Sequence, residues 1–154
     1  MAKSDWADIS DAKAARRLGE RLGVSFDADP IAELGGDEGA LANAGDDAWV
    51  ALQIERKHNH PVENVLQYWR WMERSRRRLV LVHAIAPDAP KRKSARADLT
   101  AWLGSMMERV LPGRFSYYRI ELGSADEAAQ LDAAREAIDA LRQPQEGRGL
   151  FPGH

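Results

Sequence analysis

Residues 48–86 read as an apolar strand, an amphipathic helix and a second apolar strand, and that order constrains the fold more than any other feature of the chain. The first segment, residues 48–57, is AWVALQIERK. Successive side chains of a strand point to opposite faces, so Val50, Leu52 and Ile54 share one face and Gln53, Glu55 and Lys57 share the other. Pro61 then opens VENVLQYWRWMER, residues 62–74, in which Val62, Val65, Leu66, Trp69 and Met72 fall on one helical stripe. Proline suits a first helical turn because its missing N–H has no partner there to lose. RLVLVHAIA, residues 78–86, is the second apolar strand. Two strands joined through a helix predict a parallel pair with a right-handed crossover.

The flanking segments supply the rest of an α/β domain. Residues 10–22 predict a helix with Ala12, Ala15, Leu18 and Leu22 on one side, Arg16, Arg17 and Arg21 on the other, and Gly23 as its stop. A short strand is expected at 24–27. A loop from residue 91 leads into a helix that Pro112-Gly113 ends, with Leu99, Trp102, Leu103, Met106, Met107, Val110 and Leu111 as its inner face. Residues 114–122, RFSYYRIEL, alternate like a strand. Residues 124–141 form a further helix, with Ser124 as N-cap and Glu127 three residues on, a capping box. The expectation is a single domain over 1–142, with a mixed central sheet flanked by helices, and a loose Gly- and Pro-rich tail over 143–154.

Composition narrows the functions open to such a domain. The 154 residues hold no cysteine, which removes disulfides, zinc–thiolate sites and thiol nucleophiles. No apolar run approaches membrane-spanning length and the first residues, MAKSDWADIS, are too polar for a signal peptide, so no membrane role and a cytoplasmic location are expected. Net charge is only −2, but it is segregated. Asp27, Asp29, Glu33, Asp37, Glu38, Asp46 and Asp47 follow one another with no base between them. Arg56, Lys57, Arg70, Arg74, Arg76, Arg77, Arg78, Lys91, Arg92, Lys93 and Arg96 then dominate up to residue 96. Carboxylates that hold cations beside bases that hold a phosphate backbone suit a protein acting on nucleic acid. Arg74 and Arg76 to Arg78 also suit a helix C-terminus, where cations meet the negative end of the dipole.

Glu55 and Lys57 carry the sharpest chemical signal. A carboxylate and an ammonium two residues apart, at the end of an apolar strand, can hold a divalent cation and stabilise an attacking water or a developing phosphate charge. A strand ending in Glu-x-Lys, a helix carrying Gln67-Tyr68 and a following apolar strand resembles the PD-(D/E)XK nuclease superfamily, the restriction-endonuclease-like fold. The resemblance spans residues 35–86 by motif and the whole chain by element order. It implies a second metal-holding acid on the preceding strand, usually in a Pro-Asp pair. The chain offers only the reverse, Asp29-Pro30.

Register selects another acid. If residues 44–48 form the hairpin turn, paired positions sum to about 92, and Asp37 stands opposite Glu55, with Glu38 and Asp29 as the next choices. Residues 35–43, GGDEGALAN, are rich in glycine and read equally well as a solvated acidic loop. His58-Asn59-His60 spells HNH, but HNH enzymes space those residues across a ββα unit, and two histidines two residues apart without a third ligand make a polar loop rather than a metal site.

The expected function is therefore a metal-dependent phosphodiesterase, a DNA nuclease-like protein. Asp37, Glu55 and Lys57 are its catalytic set, with Asp37 and Glu55 holding Mg²⁺ or Mn²⁺. Gln67, Tyr68, Arg76, Arg77 and Arg78 are its substrate contacts. Gln67 and Tyr68 read alternatively as a helix-surface residue and a core aromatic. The alternative function is a catalytically inactive nuclease-fold module for binding or assembly. DNA is the expected partner, and the apolar helix faces leave room for a homodimer.

Overall fold

The computed structural model describes residues 6, 9–26, 40–55, 61–87 and 92–143, with side chains from residue 65 in the second of these helices and from residue 98 in the third. The elements run α1 (Asp11–Leu22), β1 (Ala40–Gly45), β2 (Ala48–Glu55), α2 (Pro61–Glu73), β3 (Arg78–Ile85), α3 (Arg92–Val110), β4 (Phe115–Glu121) and α4 (Glu127–Arg142). One mixed sheet orders the strands β1-β2-β3-β4. β1 is antiparallel to β2, while β2, β3 and β4 are mutually parallel.

The hairpin follows the expected register. Ala40 pairs with Leu52, Leu41 with Ala51, Ala42 with Val50 and Asn43 with Trp49, each pair summing to 92. A bulge before the turn then shifts Gly45 onto Ala48. The turn needs positive φ at two positions. Gly45 (φ 144°) supplies one without strain, and Asp47 (φ 53°) supplies the other, a conformation that Asp tolerates better than most residues.

Strand alternation divides the core into two layers. Val50, Leu52, Ile54, Val80, Val82, Ala84, Ile120 and Leu122 pack under Leu18 and Leu22 of α1 and Leu131, Ala134 and Ile138 of α4. Ala51, Leu79, Leu81 and Phe115 pack under Val65, Tyr68 and Met72 of α2, Leu103 and Met107 of α3, and Leu111 just past its end. The crossovers β2-α2-β3 and β3-α3-β4 step the same way across the sheet, and a common hand puts both helices on one face. The result is a three-layer α/β/α sandwich, and burial of these apolar side chains at roughly 1.5–3 kcal/mol each is its main driving force.

Helix ends are secured by arginines as well as by caps. The Ser10 hydroxyl accepts from the Lys13 N–H at 3.2 Å, and Gly23 closes α1 in the left-handed conformation. Arg135 donates to the Arg21 carbonyl and Arg142 to the Gly23 carbonyl, so α4 holds the C-terminus of α1. Arg114 does the same for α2, donating to the carbonyls of Met72, Ser75 and Arg77.

Three local expectations are corrected. Residues 24–26 form no strand. Ser124 does not cap α4, which starts at Glu127. The chain leaves β4 through a tight turn at Gly123 (φ 80°), and Ser124 serves that turn, accepting from the Asp126 N–H and donating to the Glu121 carbonyl. Glu127 accepts from the Gly123 N–H at 2.9 Å. Of the expected inner face of α3, Leu103 and Met107 are buried, as is Leu111 just past its end, but Leu99, Trp102 and Val110 are exposed. Residues 144–154 of the expected 143–154 tail lie outside the described residues, as do Asp29, Asp37, Glu38, Lys57, His58, Asn59, His60 and Lys91.

Candidate functional site

The second face of the sheet changes character along its length. At the amino ends of the parallel strands it is apolar, with Trp49, Ala51, Leu79, Leu81 and Phe115. At their carboxyl ends it carries Gln53, Glu55, His83, Tyr117, Arg119 and Glu121. Parallel register sets these side by side, Gln53 beside His83 and His83 beside Arg119, with Glu55, Ile85 and Glu121 in the next row. Open α/β sheets bind ligands outside the carboxyl ends of their strands.

Glu55 is the centre of this patch. It ends β2, between β1 and β3, and its side chain is fully buried. Glu55 Oε2 lies 3.1 Å from His83 Nε2, and the His83 side chain is itself only 1% exposed. The two atoms are close but out of line: neither Glu55 oxygen nor His83 Nε2 has a hydrogen-bond partner among the described residues. An unsatisfied buried polar atom costs roughly 1–3 kcal/mol, and each one in a native structure calls for an explanation such as a bound ion. The far side of the imidazole is held, with Nδ1 2.5 Å from the Tyr117 hydroxyl. Burial pushes the Tyr117 pKa well above its usual range. Arg119 opposes that rise, and Glu55 and Asp98 add to it. The line Glu55–His83–Tyr117 therefore crosses three strands diagonally.

Two further contacts frame the line. Gln53 Nε2 donates to the Tyr68 hydroxyl at 2.7 Å. Arg119 reaches Asp98 of α3 at 2.7 Å and Glu121 at 3.3 Å, both nearer the surface. Tyr117 is fixed by Gly104 of α3, where an added Cβ would sit 2.6 Å from the Tyr117 ring. Only glycine there lets the helix lie so close to β4.

The remaining expected site residues fall in different places. Gln67 is exposed on α2, whereas Tyr68 is buried in the core with its hydroxyl bonded to Gln53. Burial pushes the Tyr68 pKa up to about 12, against a smaller lowering by the Gln53 hydrogen bond. Arg76 is exposed, and the Arg77 guanidinium lies 4.7 Å from the Trp71 ring centroid. Arg78 is buried at the start of β3 and donates to the Leu141 carbonyl at 3.1 Å. Arg78 pairs with Ala48 and Ile85 with Glu55, so the arginines and Glu55 occupy opposite ends of the sheet. At about 3.3 Å per residue that separation is roughly 23 Å. The arginines and the carboxyl are not brought together.

His83, Tyr117, Arg119 and Asp98 were not among the expected site residues. His83 left a signal: it interrupts RLVLVHAI, and parallel pairing from Ala48 and Arg78 puts it next to Gln53, the polar residue inside AWVALQIE. Among the described residues no group of three or more His, Cys, Asp or Glu side chains gathers as a metal cluster. Comparison with family models, with curated proteins and with solved structures finds no match to this chain.

Proposed function

We propose that this α/β protein is a metal-dependent phosphodiesterase, nuclease-like and acting on DNA, with Glu55 as its metal-holding carboxylate. One observation carries the reading: a fully buried glutamate at the carboxyl end of a central strand, with both oxygens lacking a hydrogen-bond partner among the described residues. The only ion-pair partner of this carboxylate among the described residues is His83, at 3.1 Å and out of hydrogen-bond alignment, and a cation would satisfy the oxygens that this contact leaves open. Two further features support it. The order hairpin, helix, parallel strand of β1, β2, α2 and β3 agrees with the element order that the resemblance implies. The hairpin register is the one on which the choice of Asp37 as partner acid rests.

In this reading Glu55 and Asp37 hold Mg²⁺ or Mn²⁺, which when bound supplies Lewis-acid activation of water and neutralises charge on the phosphate. The other steps belong to the chain. Lys57 orients the water and stabilises the phosphate as its negative charge grows. Glu55 itself is buried, which keeps bulk solvent from its carboxyl. Exposed Arg76 and Gln67 lie on surface that a long duplex can reach, while buried Arg78 and Tyr68 serve the fold.

A catalytically inactive binding module is the second reading. It is favoured by the distance between the arginine cluster and Glu55 and by the lack of a third clustered ligand among the described residues. The two readings separate in one experiment, in which DNA cleavage and DNA binding are measured together with Mn²⁺ for wild type and Lys57→Ala. An enzyme loses cleavage by about 10²-fold or more in the variant while affinity holds, because Lys57 acts on the transition state. Binding without cleavage in wild type selects the module. Neither binding nor cleavage removes both.

A further inference from the structure

We propose that His83 is a metal ligand beside Glu55, so that the site prefers a transition-metal ion such as Mn²⁺ over Mg²⁺ or Ca²⁺. The proposal rests on the reading of Glu55 as a metal-holding carboxylate and adds a residue outside the Glu-x-Lys pattern. Its basis is geometric. Glu55 Oε2 and His83 Nε2 are 3.1 Å apart, both buried, yet not aligned on each other. The two atoms stand at ion-pair distance but miss hydrogen-bond alignment, a placement that also lets both face one shared cation. Adjacent ligands at about 2.1 Å from an octahedral ion stand about 3.0 Å apart, and the same ligands around a tetrahedral ion stand about 3.4 Å apart. The observed separation is nearer the octahedral edge.

The opposite side of the ring agrees. Metal-binding histidines hold their second nitrogen with an outer partner that fixes the ring orientation and tautomer. Tyr117 is that partner, at 2.5 Å from Nδ1. A metal at Nε2 puts the ring proton on Nδ1, where it is donated to the Tyr117 oxygen. Gly104 seats α3 against the Tyr117 ring and keeps the hydroxyl on the imidazole. Nitrogen in the ligand set decides selectivity. Mg²⁺ and Ca²⁺ are oxygen-seeking, whereas imidazole suits Zn²⁺, Cu²⁺, Fe²⁺ and Ni²⁺; Mn²⁺ shares the oxygen preference but accepts a nitrogen ligand more readily than Mg²⁺ does.

The test is metal binding by the full chain, read without activity. Free Mn²⁺ is measured by electron paramagnetic resonance, with Mg²⁺ as competitor, for wild type, Glu55→Gln, His83→Gln and Tyr117→Phe. Wild type should favour Mn²⁺ by more than about tenfold. His83→Gln should lower Mn²⁺ affinity by about 10–100-fold and Mg²⁺ affinity by far less, and Tyr117→Phe should lower Mn²⁺ affinity by about tenfold. Spin-echo modulation from ¹⁴N should appear in Mn²⁺-loaded wild type and vanish in His83→Gln. If Glu55→Gln abolishes binding while His83→Gln leaves the Mn²⁺ preference and the ¹⁴N signal intact, this proposal is overturned and the reading of Glu55 stands. If Glu55→Gln changes nothing, that reading falls as well. Should His83→Gln fail to fold, the ¹⁴N signal in wild type and the Tyr117→Phe affinity decide: no nitrogen coupling, or no loss of affinity, overturns the proposal.

Discussion

Tyr68 shows how a single residue can look functional in sequence and prove structural in the fold. Its ring is buried between α2 and the sheet, and its hydroxyl takes a hydrogen bond from Gln53. Burial raises its pKa from the ordinary value near 10 to about 12. The linkage has a definite sign. Below pH 10 the phenol is protonated whether the chain is folded or not, and its contribution is complete. Between pH 10 and 12 the unfolded chain releases the proton and the folded chain does not, so stability falls through that window by about 2–3 kcal/mol. Urea midpoints measured from pH 9 to 11.5 should drop steeply for wild type. Tyr68→Phe should flatten the drop in part, since Tyr117 shifts in the same direction. Identical slopes in the two proteins would show that the Tyr68 phenol does not titrate as its burial requires. Glu55 was legible at this scale because it ends an apolar strand. His83 and Tyr117 were not, because their partnership depends on which strands become neighbours.

Elements differ in how strongly their sequences specify them. β2 and β3 are short, apolar and bounded by polar residues, and their lengths and parallel pairing could be read directly. The β1–β2 register was legible because the Gly45–Asp46–Asp47 turn fixes it, and a slip of one residue would turn Val50, Leu52 and Ile54 to the wrong face. α3 was harder. Apolar side chains lie on several sides of this 19-residue helix, so periodicity alone could not separate buried Leu103 and Met107 from exposed Leu99 and Trp102. What selects the buried face is Gly104, which admits the Tyr117 ring. Gly104→Ala should gain about 1 kcal/mol in helix propensity and lose about 1–3 kcal/mol to overpacking, for a net destabilisation in thermal melts. A more stable variant would mean that α3 does not press on β4 as described.

At the scale of the molecule, the three layers divide the work. The face under α1 and α4 is continuous hydrophobic core. The face under α2 and α3 is core at one end and becomes polar at the carboxyl ends of the parallel strands, where Glu55 and His83 meet. Sequence pattern reached the α/β class, the mixed sheet and the flanking helices, because strand and helix periodicities differ. The separation of Arg76, Arg77 and Arg78 from the Glu55 carboxyl was implicit in the expected parallel pair, since Arg78 starts β3 and Glu55 ends β2. No helix among the described residues is long and apolar enough to cross a membrane. The proposed role of the molecule turns on whether Glu55 holds a cation. The direct measurement is thermal melting with and without millimolar Mn²⁺, for wild type and Glu55→Gln. A ligand at about 100 times its dissociation constant adds about 2.7 kcal/mol, or roughly 5–10 °C for a domain of this size. Wild type should rise by that amount and Glu55→Gln by almost none; no rise in wild type, or an equal rise in both, would contradict a metal site at Glu55.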